Sequence, residues 1–105
     1  MNVIIFPDKA ISEVIPYTVN FADVLAFGEA ISGASVTVTV FSGTDAAPAA
    51  LLASATTYTA TTVSQVITGG LVGVIYILAF VATGASGHVY VKTAMLACVS
   101  NSNTF

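Results

Sequence analysis

Residues 46 to 91 contain no Asp, Glu, Lys or Arg. An uncharged stretch of that length admits two structures, a helix crossing a bilayer or strands that are covered on both faces. Residues 64 to 87 are long enough for the first, but glycine argues against it. Gly69-Gly70 and Thr83-Gly84-Ala85-Ser86-Gly87 reduce the apolar part to residues 71 to 82, about half of the ~20 residues a helix needs to span the hydrocarbon layer. Only Lys92 lies near either end, a weak orientation signal. The stretch is therefore predicted to be strands, and a membrane is not an expected partner.

Elsewhere the hydrophobic period is two. In Ser35-Val36-Thr37-Val38-Thr39-Val40-Phe41 the valines share one face of a strand and the hydroxyl residues the other. Similar runs are predicted over 14–21, 58–67, 74–82 and 89–99, with a shorter one near 29–31. Turn chemistry separates several of them at Ser32-Gly33, Ser42-Gly43-Thr44-Asp45, Gly69-Gly70 and 83–87. The alanine-rich segment 45–55 has room for one helical turn, limited by Pro48, and reads as a crossover between sheets. At 105 residues the chain is about one domain with one two-layer core. The expected division is a single β domain over 1–105, with an extended N-terminal arm at 1–9 and a polar, flexible tail at 100–105.

Leu71-x-Gly73-x-x-Tyr76 opens the longest apolar strand. Greek-key sandwiches carry a tyrosine corner at that place, a Tyr near the start of strand F whose hydroxyl bonds backbone a few residues upstream. In that reading Gly73 relieves the turn and Leu71 closes the end of the core. An ordinary core tyrosine after a glycine turn is the plainer alternative. The expected fold class is all-β, an immunoglobulin-like Greek-key β-sandwich of about seven strands.

The strand over 74–82 is apolar on both sides. Val74, Tyr76, Leu78, Phe80 and Ala82 share one face, and Ile75, Ile77, Ala79 and Val81 share the other. A two-sheet sandwich buries one face of each sheet, so the second is expected to meet another chain. Overall composition agrees: 56% of residues are hydrophobic and 7% charged, against about 25% charged in an average soluble domain. The candidate contact residues are Ile75 and Ile77 on the spare face, Phe41 opposite the valine face, and Val3, Ile4, Ile5 and Phe6 in the arm. The arm either docks on its own domain as a first strand or adds to a neighbour's sheet edge.

No catalytic chemistry is legible. The net charge of -3 comes from Asp8, Glu13, Asp23, Glu29 and Asp45 against Lys9 and Lys92, with no Arg, and so lacks the basic stripe a nucleic-acid partner needs. The carboxylates are scattered without calcium-loop spacing and read as solvated positions that discourage aggregation. Lys92, within a strand, is expected to snorkel to the edge or meet a partner carboxylate. His88, the one histidine, falls at a predicted hairpin tip, and Cys98, the one cysteine, reads as a small buried hydrophobe. A single cysteine forms no internal disulfide. Gly69-Gly70-Leu71-Val72-Gly73 lacks the Lys-Ser/Thr ending of a phosphate loop. No metal, cofactor or catalytic residue is predicted, and the N-terminus shows no signal peptide, which fits synthesis in a cytoplasm.

Phe6-Pro7-x-Lys9, the segment Tyr17-Thr18-Val19-Asn20-Phe21-Ala22-Asp23-Val24-Leu25, Gly28-Glu29-x-Ile31, Gly69-Gly70-x-x-Gly73-x-x-Tyr76 and Thr83-Gly84-Ala85-Ser86-Gly87 with a closing strand together resemble the small immunoglobulin-like structural proteins of tailed bacteriophages, described as fibre-tail adaptors. The final segment 94–99 departs from them in being wholly apolar where they carry charge. The resemblance implies a non-enzymatic virion component, made in the host cytoplasm, present in several copies and joining tail or baseplate to fibres. Its partners would be copies of itself and other virion proteins. A capsid decoration or neck protein, and a small membrane protein such as a holin, are the alternatives. A carbohydrate-binding module would want a row of exposed aromatics, and Tyr17, Tyr58 and Tyr90 are scattered.

Overall fold

The computed structural model describes residues 4–100. Eight strands follow in order: β1 (Ile4–Ile5), β2 (Lys9–Ala10), β3 (Ile15–Asn20), β4 (Ile31–Ser42), β5 (Thr57–Tyr58), β6 (Thr62–Ile67), β7 (Ile75–Gly84) and β8 (Val89–Val99). One sheet has the order β1-β8-β7-β4, with β2 also on β8, and the other has the order β3-β6-β5. No helix among the described residues is long and apolar enough to cross a membrane.

Alternation sets the buried faces. Tyr76, Leu78, Phe80 and Ala82 of β7, Ala94, Leu96 and Cys98 of β8, and Val36 and Val38 of β4 point inward from the larger sheet. Tyr17 and Val19 of β3 and Val63 and Ile67 of β6 meet them from the smaller one, and all belong to one core cluster. Gln65 takes an inward position on β6 and is satisfied there. It accepts from Thr56 Oγ1 at 2.5 Å and donates to the Ser54 carbonyl at 2.8 Å, which fixes the crossover to the core. Leu51, 2% exposed, does the same from the 3₁₀ turn Pro48–Leu51.

Two sequence expectations are corrected. Ser32-Gly33 makes no turn, because β4 runs through it with a register shift between Ile31 and Gly33. The glycine absorbs a bulge at the start of a long strand. The single strand expected over 58–67 is a hairpin, β5 to β6, closed where Thr59 Oγ1 accepts the Thr62 N–H at 3.1 Å. A threonine side chain supplies the turn there, so no glycine announces it.

Both arm strands run parallel to β8, with Ile5 opposite Met95 and Lys9 opposite Cys98. Four residues of arm advance against three of β8, and the extra residue falls beside Pro7, which has no N–H to donate. Phe6 and Ile11 close the gaps by donating to the Met95 and Val99 carbonyls, each at 3.0 Å.

A candidate interaction surface

The outward face of the larger sheet follows from its register. Ser35, Val81 and Val91 form one row, and Thr37, Ala79 and Thr93 the next. Thr39, Ile77, Met95 and Ile5 form a third row, and Ser42, Ile75 and Ala97 a fourth. None of these residues is charged. The centre is aliphatic, the β4 border carries hydroxyls, and Ile75 and Ile77 are only half-buried within their own chain. Val91 is 57% exposed and Ile5 68%. Phe41 falls in the register shift between Val40 and Ser42, and its ring is 62% exposed.

The arm lies against its own domain. Ile4 and Phe6 pack against the core, with the Phe6 ring 4.5 Å from Tyr17 and edge-on to Phe80 at 6.1 Å. Val3 lies outside the described residues, as do residues 101–105 of the expected tail. Lys9, the last residue of the expected arm, is an anchor rather than a free end. The Lys9 side chain is fully buried, and Nζ donates to the Gly69 carbonyl at 2.7 Å and the Ala10 carbonyl at 2.9 Å. A buried ammonium persists only when its donors are taken up in this way.

Beside that anchor, Tyr76 Oη donates to Asp45 Oδ2 at 2.7 Å and accepts the Leu71 N–H at 3.0 Å. Burial, reinforced by the Asp45 carboxylate, pushes the Tyr76 phenol up to about 12. Gly73 takes a φ of +81° in the turn. Leu71 does not close the core, because its side chain is 48% exposed. Its backbone N–H, turned toward Tyr76, is what the site uses.

At the other end of the strands stands a carboxylate expected to be solvated. Only 3% of the Glu29 side chain is exposed. It accepts from the Ser86 hydroxyl, from the Ala26 N–H at 3.0 Å and from Tyr90 Oη at 2.8 Å. These bonds, that of Ser86 foremost, hold its carboxyl well below the ordinary glutamate value, at about 2. Ser86 Oγ also lies 2.9 Å from His88 Nδ1. A hydrolytic relay places the imidazole between hydroxyl and carboxylate, whereas here the carboxylate takes the hydroxyl directly. The group is built as a clamp on two loops.

Lys92 finds its carboxylate within its own chain. Nζ is 2.5 Å from Asp23 Oδ1, donates to the Asn20 carbonyl at 2.9 Å and sits 5.5 Å above the Phe21 ring. These groups line an open pocket of about 330 Å³ formed by Asn20, Ala22, Asp23 and Lys92. No group of three or more His, Cys, Asp or Glu side chains able to hold a metal gathers among the described residues.

The sequence reading missed Lys9, Gln65 and Glu29 as structural polar groups. The period of two does place Gln65 on the buried face between Val63 and Ile67, the one signal that was available. Residues 9–97 match a family described as "Podophage GP4 fiber-tail adaptor protein gp77". No curated protein and no solved structure gives a match.

Proposed function

The chain belongs to the podophage fibre-tail adaptor family, and we propose that it joins the tail to the fibres in the virion by protein–protein burial, without catalysis. The observation that carries this reading is the uncharged outward face of the larger sheet, centred on Ile75, Ile77, Val81, Val91 and Met95. Three strands about 4.8 Å apart and about 33 Å long present roughly 450 Å², a patch of the size that is often functional on a monomer. One side of a standard interface takes about 800 Å². The remainder is supplied by Ile5 and Phe41 at the margins and by further copies of the chain.

Within this reading the topology is immunoglobulin-like. β3, β6 and β5 stand as strands B, E and D, and β4, β7 and β8 as C, F and G. Tyr76 near the start of F then acts as the tyrosine corner, with Leu71 and Gly73 shaping its turn. The arm residues Ile4 and Phe6 serve the fold, and Ile5, on the opposite side, serves the interface.

The test is genetic complementation of a phage lacking this chain with Ile77→Asp. The expected result is particles that keep head and tail but carry few fibres, with the purified variant folded. Full fibre attachment by that variant would remove the outer face from the function. Particles that keep their fibres when the chain is absent altogether would instead place the protein at the capsid or neck.

A further inference from the structure

Phe27 is the most exposed hydrophobic side chain among the described residues, at 107% of the reference area, and the turn that carries it is held unusually firmly. Ala26 to Glu29 form a β-turn in which the Glu29 N–H donates to the Ala26 carbonyl at 2.9 Å and Gly28 takes a φ of +79°. That positive φ is what a type II turn requires at its third position. The Glu29 side chain then returns to accept the Ala26 N–H at 3.0 Å, so the turn is closed from both directions.

The same carboxylate is tied to the neighbouring hairpin through Ser86 and Tyr90. Ala85 N–H also donates to the Ala30 carbonyl at 2.8 Å. Gly84 leaves the space that Glu29 fills, because a Cβ there would lie 2.1 Å from Oε2. A buried acid, a serine, a tyrosine and a glycine thus fix a four-residue turn that presents one outward phenyl ring. A rigid, pre-organised aromatic loses little freedom on binding, and aromatic anchors seated in desolvated pockets dominate interface energies.

We infer that Phe27 is a docking knob that inserts into an apolar socket of the tail-side virion protein on which this chain sits, the sheet face being left for the fibres. The chemistry of the socket follows from the charges near the turn. Asp23 is paired with Lys92, and Glu29 is buried and bonded. The ring is therefore offered without an unpaired charge beside it, which suits an aliphatic or aromatic pocket. A second copy of this chain is a poor host at the pocket walled by Asn20, Ala22 and the Asp23–Lys92 ion pair. The knob stands at the end of the strands and the uncharged sheet face along their side, so an adaptor has two separate surfaces for two bodies. The inference rests on the adaptor reading in that respect.

The experiment measures binding of purified wild-type, Phe27→Leu and Phe27→Ser chains to particles assembled without this protein, by co-sedimentation. Melting temperature and self-association are followed in parallel. Because the ring is exposed, all three chains should melt together. Phe27→Ser should bind at least about 30-fold more weakly, the change a hot-spot truncation of roughly 2 kcal/mol produces, and Phe27→Leu should stay within about fivefold of wild type. Phe27→Ser binding within threefold of wild type would overturn the knob while leaving the adaptor reading intact. So would loss of self-association with particle binding unchanged, since the socket would then belong to a second copy. Failure of the wild type itself to bind would overturn the adaptor reading and, with it, the knob.

Discussion

The Lys9 ammonium donates to the Gly69 carbonyl at 2.7 Å, across sixty residues of chain, and pins the N-terminal arm to the turn that precedes β7. The side chain is fully buried, so the arm is fastened at its base although β1 and β2 have only two residues each.

Lys9→Met keeps much of the volume and leaves the Gly69 carbonyl without its donor. Hydrogen bonds to charged groups contribute about 1.5–3 kcal/mol, and a buried orphan acceptor costs about 1–3. Urea denaturation should show a loss of about 1–3 kcal/mol, with Lys9→Ala losing more because it also opens a cavity. Amide exchange at Phe6 and Ile11, which donate to β8, should quicken. Wild-type stability in Lys9→Met would show that the charge costs as much as its bonds return.

Tyr76→Phe removes one donor and one acceptor while keeping the ring. Asp45 loses a partner at 2.7 Å and the Leu71 N–H one at 3.0 Å. The expected cost is about 1–2 kcal/mol, measured by denaturant titration. The cost should not change in an Asp45→Ala background, which lacks the acceptor, if the Leu71 bond carries most of it. A cost that falls to near zero there would assign it to the carboxylate.

Much of the larger sheet was legible because it depends on local alternation. Val36, Val38 and Val40 announce β4, and the two apolar faces of 74–82 announce both the core and the surface beyond it. The misread positions depend on partners distant in the chain. Lys9 looks solvated until Gly69 stands opposite, and Glu29 looks solvated until Ser86 and Tyr90 do. Ser32-Gly33 has the composition of a turn, and only its pairing with β7 makes it a bulge. Phe27 gave no periodic signal because it belongs to a turn, and its significance lies in the bonds on either side of it.

Acid should weaken the clamp around Glu29. Its carboxyl titrates at about 2 in the folded chain, below the ~4.3 of an unperturbed glutamate. The unfolded state therefore binds the proton more readily, so the stabilisation is complete above about pH 4.5 and is lost as pH falls toward 2. Glu29→Gln lacks the titrating group. The gap in melting temperature between wild type and Glu29→Gln should be widest near pH 6 and narrow steadily from about pH 4.5 down to pH 2.5. A gap that stays constant over that range would mean that the ionised form contributes nothing.

Gly70 tests how tightly the arm, the β7 turn and β8 are fitted together. Its φ is +102°, and a Cβ added there would stand 2.5 Å from Cys98 Sγ and 3.4 Å from Cys98 Cβ. Gly70→Ala thus meets two penalties, about 1–2 kcal/mol for a side chain at positive φ and about 1–3 kcal/mol for overpacking. Only the second involves Cys98. Cys98→Ala alone should lose stability by leaving a small cavity, but in the Gly70→Ala background the new methyl occupies part of that space and the sulfur no longer opposes it. The double variant should therefore be more stable than the sum of the single losses by about 1 kcal/mol or more, a coupling that a double-mutant cycle reads directly. Strict additivity would assign the whole requirement for glycine to its backbone conformation and none to the approach of the thiol.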